Sequence, residues 1–125
     1  MIVGIGIDLL EVARMERELA RDGAGFVGQV FCSAETAYCE AMHRPARHYA
    51  ARFAAKEAVF KALALERGDT AAWKQVEIRS RGDGSRRVVL HGRLRDLAER
   101  RGVRRVWLSM THTRSLAAAS VLLES

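Results

Sequence analysis

The chain has 125 residues with 49% hydrophobic, 29% charged and a formal net charge of +6. This is the balance of one globular domain over residues 1–125, not of a disordered chain. No apolar run approaches the ~20 residues that span a bilayer, and the basic excess is almost all arginine, eighteen against three lysines, whose planar fork suits phosphates and carboxylates.

The apolar N-terminus has no basic flank and runs straight into Asp8, so no signal peptide is expected. Ile2, Val3, Ile5 and Ile7, with Gly4 and Gly6 between, predict a short buried strand whose glycines allow another backbone to come close. Gly4-Ile5-Gly6-Ile7-Asp8-Leu9 is not a dinucleotide fingerprint, because Leu9 replaces the third glycine and the glycines sit inside the strand. Asp8, where that strand is expected to end, reads as a helix N-cap or as a rigidly held metal ligand.

Val12, Met15 and Leu19 predict a helix that carries Arg14, Arg17 and Arg21 on another face. Ser33 is the expected cap of a second helix through Cys39. Cys32 and Cys39 have neither a redox nor a zinc spacing, which predicts two reduced thiols in a cytoplasmic protein. Pro45 fits the first turn of a third helix running to about Arg67, before Gly68. On it Glu57 lies beside Phe53 and Phe60, flanked by Ala50 and Ala64, with Lys61 one turn later. A Glu–Lys pair at this spacing is ordinarily a solvated ion pair. Next to two phenylalanines, however, the carboxylate needs a strong partner, and a hard cation is one. Arg52 and Lys56 point to other sides of the helix and offer cations around that acid.

The period then changes. Val76 and Ile78 alternate with polar residues, Gly82-Asp83-Gly84 supplies a turn, and Val88 to Leu90 returns as a partner strand. Leu94, Leu97 and Ala98 give a short helix stopped at Gly102. Val106 to Met110 and Ala117 to Leu123 make a last hairpin across a loop, 111–115, in which His112 can bind a phosphate or shuttle a proton. The order predicts an α+β domain with a mainly antiparallel sheet packed against a long helix. No Ser/His/Asp signature and no phosphate-binding glycine loop is present. The eight aromatic residues do not interleave with the arginines, so nucleic acid is not the expected partner, and neither is a membrane.

Gly4-Ile5-Gly6-Ile7-Asp8, Arg52-Phe53-Ala54-Ala55-Lys56-Glu57-Ala58, Phe60-Lys61-Ala62 and Ser109-Met110-Thr111-His112-Thr113 together resemble the holo-acyl-carrier-protein synthases, small 4′-phosphopantetheinyl transferases. The resemblance covers nearly the whole chain and implies transfer of 4′-phosphopantetheine from coenzyme A to a serine of an apo acyl carrier protein, with adenosine 3′,5′-bisphosphate released. It implies Mg²⁺ held by Asp8 and Glu57, Lys61 on the pyrophosphate, and Arg52, His112 and Thr113 toward the rest of coenzyme A. Asp8, Glu57 and Lys61 are then the expected catalytic residues, with Glu57 as base for the serine proton. It further implies a homotrimer with active sites between subunits, and carrier docking on Arg14, with Arg17 and Arg21 extending the strip. The sequence departs from the family's pattern at Gln29, where an arginine is common, and at Ala64, where a glycine would end the helix and its loss predicts a longer one. It departs again at Arg86-Arg87, an expected turn where a proline is common.

Overall fold

A computed structural model describes residues 1–65 and 70–125. The elements are β1 (Ile2–Glu11), α1 (Val12–Val30), α2 (Ser33–Glu40) and α3 (Pro45–Ala62), followed by a short 3₁₀ turn over Thr70–Gln75. Then come β2 (Val76–Ser80), β3 (Arg86–Leu90), α4 (Gly92–Arg100), β4 (Arg105–His112) and β5 (Leu116–Glu124). The expected α+β class holds. The strands form an antiparallel sheet in the order β1-β5-β4 and a separate antiparallel hairpin, β2-β3.

β1 differs from its expectation in two ways. Asp8 does not end it: pairing with β5 continues from Ile2 opposite Glu124 to Glu11 opposite Leu116, and the N-cap of α1 is Glu11. Nor are its isoleucines buried, since Ile5 and Ile7 are 67% and 69% exposed. Side chains alternate along a strand, and the face carrying Gly4, Gly6, Asp8 and Leu10 is the one turned to α3. A Cβ on Gly6 would lie 1.9 Å from the Ala58 carbonyl oxygen, and one on Gly4 2.4 Å from that of Ala62. The glycines therefore do admit a backbone, and the isoleucines are left on the opposite face with Leu9 and Trp107.

α1 bends at Asp22, which leaves the helical region and accepts a hydrogen bond from the Gly25 N–H at 3.3 Å, capping the second segment. The cap of α2 is Cys32, not Ser33, because Glu35 reaches back to the Cys32 N–H at 2.9 Å. α3 ends five residues short of the expected Arg67; Arg67 and Gly68 lie outside the described residues. Its end is a Schellman turn: Leu65 N–H donates to Phe60 O at 2.9 Å and Ala64 N–H to Lys61 O at 3.0 Å. Ala64 closes it at φ 56°, the left-handed conformation that favours glycine. The lost glycine has thus not lengthened the helix. Arg86 and Arg87 are not in a turn but open β3, opposite Ser80 and Arg79. His112 ends β4 opposite Ala117, leaving a shorter turn over 113–115.

Small residues let α3 sit deep. Ala54, Ala55, Ala58 and Ala62 pack against Ala119, Val121 and Leu123 of β5, while Tyr49, Ala50 and Ala51 join Leu10, Met15 and Phe31 in a second cluster. Lys56 is not a cation of the site. It is fully buried, paired with Glu35 at 2.9 Å and donating to the carbonyls of Trp73 and Val76. Glu35 also accepts from Ile78 N–H at 2.8 Å, so the ion pair ties α2, α3 and β2 together.

Candidate active site

The contact of β1 with α3 builds the first cluster. Gly6 against Ala58 and Gly4 against Ala62 show the strand and helix running in opposite senses, so Asp8, the next residue on that face, lies toward the preceding turn of α3. Lys61 closes the gap: its Nζ donates to Asp8 Oδ1 at 2.9 Å and to the Ile7 carbonyl oxygen at 3.0 Å. The ion pair is half open to solvent on the lysine side, with side-chain exposures of 49% and 16% for Lys61 and Asp8. Glu57, half-buried, stands one turn before Lys61 on α3. The expected Glu57–Lys61 neighbourhood therefore gains Asp8 across 53 residues of chain. Among the described residues no group of three histidine, cysteine or acid side chains gathers, so an ion bound here would have Asp8 and Glu57 as its carboxylate donors. That set fits Mg²⁺, which takes few protein carboxylates and keeps its other positions for water and phosphate.

A second cluster lies elsewhere. His48, Ala51 and Arg52 of α3, Arg86 of β3, and Met110, Thr111 and His112 of β4 line a cavity of about 190 Å³. Arg52 is 1% exposed and donates to Ser80 Oγ at 3.2 Å, with its guanidinium 4.0 Å from the Tyr38 ring centre. Arg86 donates to the Tyr38 hydroxyl at 2.8 Å. Tyr38 thus spaces two guanidiniums that would otherwise repel. The His48 and His112 rings meet edge to face with centres 5.0 Å apart. Arg52 and His112 are therefore brought together as expected, but the cavity has none of Asp8, Glu57 or Lys61 among its lining residues. Thr113 lies just beyond it, where its Oγ1 accepts from Leu116 N–H at 3.1 Å and shapes the turn. Sequence reasoning missed Tyr38 and His48, and noted Arg86 only as a departure from the family's pattern in an expected turn. His48 precedes Arg52 by one helical turn and was legible on that ground; the other two arrive from α2 and β3.

Arg14, Arg17 and Arg21 are exposed along α1, and Arg21 pairs with Glu18 at 2.8 Å. Arg14 also edges an apolar groove of about 230 Å³ with Leu10, Met15, Phe26, Phe53 and Trp73. Gln29 lines the same groove, so that departure from the family's pattern falls here.

Comparison with known proteins follows this geometry. A family model described as the 4′-phosphopantetheinyl transferase superfamily matches residues 4–119. The chain is 46% identical to the holo-[acyl-carrier-protein] synthase of Moorella thermoacetica, over 96% of this chain and 92% of that relative. Its fold is similar to the crystal structure of holo-[acyl-carrier-protein] synthase from Neisseria meningitidis, with a TM-score of 0.88 and 30% identity over 100% of both chains. A holo-(acyl-carrier-protein) synthase from Bacillus anthracis, solved in complex with CoA (3',5'-ADP), matches with a TM-score of 0.81 and 31% identity, over 100% of this chain and 98% of that one.

Proposed function

The chain belongs to the 4′-phosphopantetheinyl transferase superfamily, and we propose that its two clusters are the two walls of one active site shared between protomers. The enzyme moves the 4′-phosphopantetheine group of coenzyme A to the serine of an apo acyl carrier protein, releasing adenosine 3′,5′-bisphosphate. In this reading the whole chain, 1–125, is one transferase domain, and Asp8 and Glu57 hold Mg²⁺. The metal supplies charge neutralisation for the pyrophosphate.

The chain's own residues do the rest. Lys61, tethered at Asp8 and the Ile7 carbonyl, presents an ammonium to the pyrophosphate oxygens and offsets the charge that gathers on the leaving phosphate. Glu57 takes the proton of the attacking serine hydroxyl. Arg52, His112 and Thr113 hold the nucleotide end of coenzyme A, and Arg14, Arg17 and Arg21 receive the acidic carrier, whose apolar side chains the groove beside Arg14 can accept. Free thiols at Cys32 and Cys39 suit a reducing, cytoplasmic setting.

One observation carries the shared site: the Asp8–Lys61 pair and the Arg52–His112 cavity have no lining residue in common. The sheet also leaves Ile5, Ile7, Leu9 and Trp107 exposed, an apolar face that suits further copies of this chain, arranged as a homotrimer. Intact mass of an apo acyl carrier protein incubated with the enzyme, coenzyme A and Mg²⁺ tests the reading. Gain of one phosphopantetheine, lost on chelation of Mg²⁺, is expected; an unchanged carrier mass overturns it.

A further inference from the structure

The cavity between α3, β3 and β4 carries more positive charge than the resemblance accounts for. Arg52 and His112 belong to the matched motifs, but His48 and Arg86 do not, and both line the same space. Two buried atoms there, Nε of Arg52 and Nε of Arg86, have no hydrogen-bond partner among the described residues. An unpartnered buried donor is costly, and two on guanidiniums that line one cavity point to an acceptor with several oxygens.

His48 faces this charge from all sides. Its neighbours are Arg47 and Arg52 on its own helix, Arg86 from β3, His112 from β4 and Tyr38 from α2, every one cationic or neutral. Burial first, then His112 and the arginines, holds the His48 imidazole below the usual histidine range, so it is neutral at neutral pH in the free protein. A dianion placed among these groups reverses the sign of the local field.

We infer that His48 and Arg86 complete, with Arg52 and His112, a pocket that takes a phosphate monoester dianion together with one proton, which passes from solvent to the His48 imidazole. The inference rests on the placing of the nucleotide end of coenzyme A at Arg52 and His112, and adds to it a proton linkage and two residues. Because the proton is bound with the ligand, affinity rises as pH falls from about 8 toward about 6.5.

Calorimetry with adenosine 3′,5′-bisphosphate, in two buffers of different ionisation enthalpy and free of phosphate, reads the linkage directly. The parent enzyme should take up close to one proton per nucleotide at about pH 7.5, and the His48 resonance should titrate at higher pH in the complex. His48→Gln should bind with that uptake largely lost, and Arg86→Gln should weaken binding about tenfold. Binding with no proton uptake by the parent, or uptake unchanged in His48→Gln, overturns the inference and leaves the nucleotide's placing intact. An affinity unchanged in Arg86→Gln removes that residue's part. Failure of the parent to bind the nucleotide overturns both.

Discussion

Lys61 is the residue on which the proposed chemistry turns, because it bonds the Asp8 carboxylate and the Ile7 carbonyl while half its side chain stays open. A group held this way gains most when charge builds on the leaving phosphate, so its loss belongs in the chemical step. Lys61→Ala should lower kcat at least ~100-fold while changing KM for coenzyme A far less; steady-state kinetics with both substrates varied decides this, and an effect confined to KM contradicts the role. Asp8→Ala removes a proposed metal donor and Lys61's partner together, and should nearly abolish transfer even at high Mg²⁺. Ala64 offers a test of the fold at one residue. Its φ of 56° costs an alanine about 1–2 kcal/mol, of which a glycine would return part to the unfolded chain's freedom. Ala64→Gly should therefore stabilise by about 0.5–1 kcal/mol, seen as a raised Tm.

Among the elements, α3 and α1 divide the work. α3 is buried nearly all round and carries residues of both clusters, Arg52 near one and Glu57 and Lys61 at the other. Its position is set by its small alanines, of which Ala58 and Ala62 meet Gly6 and Gly4 of β1, and by the buried Lys56–Glu35 pair. α1 instead shows arginines to solvent beside the groove edged by Arg14. Exposed charges of this kind act on encounter and are screened by salt. Arg14→Glu should raise KM for the carrier protein several-fold, leave KM for coenzyme A nearly unchanged, and flatten the loss of activity with added salt. An unchanged KM for the carrier at low ionic strength would move docking to another basic surface, such as Arg100, Arg101, Arg104 and Arg105.

For the whole molecule the decisive feature is separation. Asp8 and Lys61 pair at one place and Arg52 and His112 line a cavity at another, so under the proposed function a protomer would complete a site only against a neighbour. Glu57→Ala and His112→Ala protomers, each weak alone, should recover a measurable fraction of activity when unfolded together and reassembled, since some sites then receive both groups. Sedimentation should find a trimer. A fully active monomer, or no recovery in mixed assemblies, contradicts the shared site.

The order of elements was legible because hydrophobic period, turn glycines and caps are local signals: Val76 and Ile78 alternate, and Gly102 stops α4 at φ 74°. Residue type, helical spacing and motif singled out Asp8, Glu57 and Lys61, and the fold does bring Lys61 onto Asp8. Tertiary structure decided what depends on which faces meet. Alternation along β1 could be read from the sequence, but not that the glycine face would take the helix and send the isoleucines outward. Lys56 and Lys61 look alike as residues of one helix, yet packing buries the first against Glu35 and leaves the second half open at Asp8. Tyr38, His48 and Arg86 meet only because α2, α3 and β3 converge, and no spacing along the chain encodes a distance between separate elements.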